Sequence, residues 1–222
     1  MTIALQGQAS AIANSIALPS HITDDLIIIH AANPASATLP VKPSTSWTNA
    51  YSASVAGGSV LIAYMHAQNN AMTSGTWTNA AHLFATVWRG GSNTLVVPEF
   101  VCTQTGTSVT IAYPAQAAGT VKTDAANMAL LGYVLNSNTT NTLLPPGAMT
   151  DLQAATNGTS WQAKQYYQLN RTATWATTNV TQATSAFYRS LILSLIETQR
   201  YGPTGGGGGS VRQVNIRGGA DQ

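Results

Sequence analysis

The stretch "SAFYRSLILSLIETQR", residues 185–200, decides between a helical and an all-β protein. Tyr188, Leu191, Leu195 and Thr198 recur at helical spacing, whereas Leu191, Leu193 and Leu195 share one face of an extended strand. The neighbouring sequence favours the strand. Short apolar runs fill the chain, separated by Gly, Pro, Asn and Ser. "ANMALLGYVLN" (126–136) also has helical length, but Gly132 at its middle and β-branched Val134 argue for a strand there too.

Outward from these two runs the same reading continues. "TIALQGQASAI" (2–12) and "NSIALP" (14–19) look like opening strands, and "DDLIIIHAAN" (24–33) fits a buried one. "PASATLPVKPSTS" (34–46) carries Pro34, Pro40 and Pro43 and must be a loop. "WTNAYSAS" and "GGSVLIAYMHAQ" read as two strands joined around Gly57 and Gly58, the second with Val60, Ile62 and Tyr64 on one face and Leu61 and Ala63 on the other. "AHLFATVWRG" and "NTLVVPEFVC" are split by the turn sequence "GGSN"; "TSVTIAYP", "SWQAKQYYQLN" and "AFYRSLILSLIE" complete about ten strands. No fixed-period repeat is visible. The pattern predicts an all-β, antiparallel β-sandwich, jelly-roll-like, over residues 1–201, followed by a flexible Gly-rich linker and C-terminal arm over 202–222.

Charged residues make up 7% of the chain and hydrophobic ones 44%, with a net charge of +2. Disorder usually pairs low hydrophobicity with high net charge, so this is a folded domain with a neutral, hydroxyl-rich surface. Its nine basic residues are scattered, against the clustering that phosphate neutralisation demands, so no nucleic-acid partner is expected. The apolar runs are far shorter than the ~20 residues of a membrane span, so no membrane insertion is expected. The N-terminus lacks the basic and apolar regions of a signal peptide, which points to synthesis in a cytoplasm. One cysteine, Cys102, allows no internal disulfide. Asn138, Asn157, Asn170 and Asn179 open Asn-x-Thr triplets that read as chance in so Asn- and Thr-rich a chain.

A search for chemistry finds no nucleophile elbow, phosphate loop or His-Glu-x-x-His pair. Asp24, Asp25, Glu99, Asp124, Asp151 and Glu197 are the carboxylates available for a glycosidase-type pair, and none sits in a recognisable context. His21, His30, His66 and His82 lack metal-ligand spacing and read as strand-end histidines bonded to backbone. Asp24 and Asp25 read as shaping the turn into the strand that follows. No catalytic residue, metal or cofactor is expected. Trp88 should pack inside with Arg89 at the rim. Trp77 and Trp175 lie in polar contexts: they either close the ends of the sandwich or serve as contacts for a host receptor or glycan.

The series "IALPSHITDDLIIIHAAN", "LPVKPSTSW", "LIAYMHA", "VWRGG", "TSVTIAYP", "ANMALLGYVLN", "LPPGAMTDL" and "AFYRSLILSLIE", covering most of residues 15–197, resembles β-sandwich minor tail proteins of phages infecting actinobacteria. Asp24-Asp25 stands where that pattern usually has Gly-Asp. The resemblance implies a virion structural protein with a sandwich fold and implies no catalytic residues. The expected partners are other virion proteins and copies of the chain itself. Alternatives are a host-receptor or glycan-binding module and a capsid decoration protein.

The tail fits an assembly role. Five consecutive glycines, Gly205–Gly209, precede "SVRQVNIR". A spacer from Gly205 to Ser210 reaches on the order of 13 Å on average and ~20 Å stretched. Beyond it, Val211, Val214 and Ile216 have strand character, with Arg212 and Arg217 at their sides, so the segment is expected to pair with a sheet edge on a neighbour.

Overall fold

The computed structural model describes residues 3–115, 128–158, 160–171 and 175–199. Within them the chain is all-β, in ten strands: β1 (Ala4–Ala11), β2 (Leu26–Pro34), β3 (Thr48–Ala53), β4 (Gly58–His66), β5 (His82–Arg89), β6 (Thr94–Tyr113), β7 (Met128–Asn136), β8 (Thr150–Asn157), β9 (Trp161–Arg171) and β10 (Thr178–Gln199). They form two five-stranded antiparallel sheets that pack as a sandwich, in the orders β1-β5-β2-β4-β3 and β6-β10-β7-β9-β8. Each sheet takes five consecutive strands, so the strands do not alternate between sheets as in a jelly roll.

Both faces of each sheet are covered, which explains the unbroken apolar runs of β2 and β7. The inner faces meet in one core that includes Leu26, Ile28, Val60, Ile62, Phe84, Trp88, Leu131, Leu191, Leu193 and Leu195. The outer face of the first sheet, with Ile27, Ile29, Leu61 and Leu83, is covered by Ile16, Trp47 and Trp77 from connecting segments. The outer face of the second, with Leu130, Val134 and Ile192, is covered by Leu143, Met149 and Trp175 and by Ile111, Tyr113 and Val180 from the extended ends of β6 and β10. The decisive stretch is therefore strand from Ser185 to Gln199, and the alternation read in β4 and β10 is the alternation between these cores.

The two strand orders are the same order. Counting β6 as first, the second sheet also reads first, fifth, second, fourth, third. The irregularities match as well. A register shift lies between Asn49 and Tyr51, opposite Ala63 and Ile62; another lies between Asp151 and Gln153, opposite Tyr166 and Gln165. A shift between Leu5 and Gly7 opposite Trp88 and Val87 is repeated between Pro98 and Phe100 opposite Leu195 and Ser194. These registers equate Ile62 with Gln165 and, through the ladder, His30 with Tyr133, each 103 residues further on. His82 likewise corresponds to Arg189. The edges obey the same relation: β1 lies against β8, and β3 against β6. The sandwich is thus a structural duplication about a pseudo-two-fold axis, a repeat that the sequence does not display.

One feature breaks the symmetry. β1 and β5 have 8 residues each, whereas β6 has 20 and β10 has 22. By the same registers, Ala11 of β1 corresponds to Gln104 of β6. Beyond that point β6 and β10 run on as a two-stranded ribbon that curls over the outer core. The expected strands "NTLVVPEFVC" and "TSVTIAYP" are one continuous strand here, because no turn sequence separates them. Two other expectations change: "NSIALP" is not a strand, and β8 was not foreseen.

Candidate interaction surface

The ribbon is fixed by side-chain amides. Between Thr181 and Ala186, β10 carries four residues opposite the single Val109 of β6, three more than the ladder needs. Gln182, buried within this bulge, donates to the Ser108 carbonyl (2.5 Å) and accepts from Asn136 Nδ2 (2.6 Å) and Asn141 Nδ2 (2.9 Å). Asn141 also donates to the Thr184 carbonyl and accepts from the Thr184 amide, both at 2.9 Å. A buried polar network of this kind rigidifies a structure only when its members are paired, as these are.

The outer edge of the ribbon is the most open edge in the described protein. β6 ends its sheet and pairs there only with β10. Its first half is engaged, with His66 Nε2 2.8 Å from the Val96 carbonyl and Tyr51 donating to Thr103 Oγ1 at 3.1 Å. From Gln104 to Thr110 no described strand pairs with it, and Val109 is 45% exposed. Natural edge strands usually carry shortness, bulges, charge or proline against unwanted pairing. β1 has a bulge and lies against β8. β3 is six residues long with a bulge. β8 has a bulge and the ion pair of Asp151 with Lys164 (2.8 Å). From Val101 to Tyr113, β6 holds no Asp, Glu, Lys, Arg or Pro.

The sandwich interior is a second unusual place. His30 and His82 were expected to be strand-end histidines bonded to backbone; instead both are fully buried between the sheets. The His30 ring stacks on Tyr133 at 5.2 Å, two pseudo-symmetric side chains facing each other across the axis. His82 stacks on Trp161 at 4.6 Å, with its Nε2 3.2 Å from the Tyr133 hydroxyl. Gln165 Nε2 donates to His30 Nδ1 at 2.6 Å. Burial holds His30 and His82 down to about 3, with His82 adding repulsion at His30, so both are neutral near pH 7. Burial pushes the Tyr133 hydroxyl well up. Arg189, 2% exposed, donates to the Tyr51 hydroxyl at 3.1 Å, while its Nε and Nη2 have no partner. His66, at the end of β4, matches the expectation in meeting the Val96 carbonyl; His21 Nδ1 lies 2.7 Å from the Pro19 carbonyl, but in the segment before β2 rather than at a strand end.

Other sequence candidates take structural places. Trp88 is buried, and Arg89, with its side chain 39% exposed, forms a two-pronged pair with Asp25 at 2.7 Å on each prong. Asp25 also accepts the Ile22 amide (2.9 Å), and Asp24 takes a positive φ of 74°, so this pair shapes the turn into β2. Burial pushes the Cys102 thiol up to about 11. Among the described residues, no three of His, Cys, Asp and Glu converge as a metal site would require.

The ring contacts considered for a receptor or glycan are corrected. Trp77 is 0% exposed, donates from Nε1 to the Ser74 carbonyl (3.1 Å) and meets Trp47 edge-on. Trp175 is 4% exposed and carries the Arg171 guanidinium 5.0 Å from its ring. Neither ring offers a free face: each is buried, as the alternative reading of the sequence had it, but over the outer face of a sheet rather than at an end of the sandwich. A shallow depression of about 250 Å³ lies beside Trp47, lined in part by Pro43, Met65, Met72 and Gly75. The arm residues Val211, Arg212, Val214, Ile216 and Arg217 lie outside the described residues.

The ribbon edge and Arg189 were missed by the sequence reading. A signal for the ribbon was available: nineteen residues from Leu95 to Tyr113 hold no turn dipeptide. Comparison with known protein families, with curated proteins and with solved structures finds no match.

Proposed function

We propose that this chain is a structural component of a virion, a minor tail protein at the tail tip of a phage, made in the host cytoplasm. It works through fixed contacts with copies of itself and with other virion proteins, and its C-terminal arm docks on a neighbour. It performs no chemistry of its own. The observation that carries this reading is the ribbon edge, the part of β6 from Val101 to Tyr113 that holds no charge or proline and whose far end extends an otherwise pseudo-symmetric body. Such an edge is a template for pairing with another chain. The charge-poor, Thr-rich surface supports the same reading, since it sets up little long-range repulsion between copies.

The test is localisation. Gradient-purified particles should contain the chain, and gold-labelled antibodies against it should mark the tail tip in electron micrographs. Particles that lack the chain, with the protein left in the soluble lysate, would overturn the reading. Label over the head would instead favour a capsid decoration protein.

A further inference from the structure

We propose that the outer edge of β6 from Gln104 to Thr110 receives the arm segment Val211–Arg217 of a second copy of this chain as an added antiparallel strand. The inference rests on the assembly reading above and names its acceptor, its donor and their direction. The Ser108 carbonyl is taken by Gln182 of β10, so it points into the sheet. Alternation along a strand then turns the main-chain groups of Thr107 and Val109 outward. The edge thus offers backbone donors and acceptors, an exposed Val109, and no charge to repel Arg212 or Arg217.

The direction selects a second copy. Every described strand pair in the protein is antiparallel. An arm pairing with β6 in that sense starts opposite Thr110. The arm is tethered at Gln199, which pairs with Thr94 at the other end of β6. Along the strand that is a contour of at most about 53 Å at ~3.3 Å per residue, shortened by the curl of β6 but still well beyond the average reach of the spacer. The spacer from Arg200 to Ser210 averages about 18 Å and reaches ~38 Å when fully stretched. A neighbouring copy's arm faces no such limit.

The experiment is light scattering on the intact chain over a concentration series, with two single variants. Thr107→Pro removes an outward amide and leaves the β10 side of the ladder untouched. Val214→Pro breaks the donor without touching the body. The intact chain should associate as concentration rises, both variants should stay monomeric, and Thr107→Pro should keep its Tm within a few degrees. If either variant associates like the intact chain, the acceptor or donor assignment is wrong. Val214→Pro decides alone if Thr107→Pro fails to fold. A chain ending at residue 201 separates the two levels. If it stays monomeric while Thr107→Pro associates, the arm docks on another surface. If it associates like the intact chain, or the intact chain never associates, the arm's role in assembly falls as well. Cross-links confined within one chain would show that the arm folds back, contradicting the second-copy assignment.

Discussion

Acid should unfold this protein through His30 and His82. Both imidazoles are fully buried and held at about 3, against 6.5 for a free histidine. A group whose folded pKa is depressed contributes its full stability above the unfolded value and loses it as pH falls. The window therefore opens near pH 6.5 and extends down toward pH 3. Each unit of pH below 6.5 costs about 1.36 kcal/mol per histidine. At pH 5.0 that amounts to about 2 kcal/mol for each ring and about 4 kcal/mol for the pair, a large share of a typical 5–15 kcal/mol. The rings packed against them are Tyr133, Phe84 and Trp161, with Gln165 bonded to His30, and none supplies a negative charge. The assay is urea unfolding between pH 7.5 and 5.0, above the range in which most carboxylates titrate. The intact protein should lose about 4 kcal/mol across it, and a His30→Gln, His82→Gln double variant should lack that loss. Equal slopes for the two proteins would refute the reasoning.

Three further outcomes follow from burial. Arg189→Met should leave stability unchanged or raise it by up to about 3 kcal/mol in urea melts, since a buried charge with two unpartnered nitrogens gives way to apolar packing. Trp77→Ala should cost about 3–5 kcal/mol in the same melts by emptying the outer core, while the folded fraction keeps its association behaviour. Gly132→Val should cost about 1–3 kcal/mol, read as a lower Tm, because a Cβ there would lie 2.9 Å from Met149 Sδ.

The fold class was legible because the local signals agreed. The turn sequence "GGSN", the Pro-rich loop and the alternation in β4 all state one period and one set of boundaries. The duplication was not legible, because equivalent positions hold chemically different residues: His30 answers to Tyr133, Ile62 to Gln165, and His82 to Arg189. What repeats is the register, including the bulges, and register belongs to the backbone ladder rather than to side-chain type. β8 escaped notice for a related reason: "TDLQAATN" is an edge strand whose apolar content is too thin to mark it. Burial of the tryptophans was equally hidden, since "SGTWTN" and "TATWAT" are polar locally and close outer cores built by distant strands.

The central claim is that repeated contacts between chains, made in part by strand addition to the β6 ribbon, are what this protein contributes. The most direct measurement is a cryo-electron microscopy map of the assembled particle at side-chain resolution. The account predicts several copies of the two-sheet body, each with an extra antiparallel strand from another copy beside Gln104–Thr110. Isolated bodies whose ribbon edges face only solvent would contradict it.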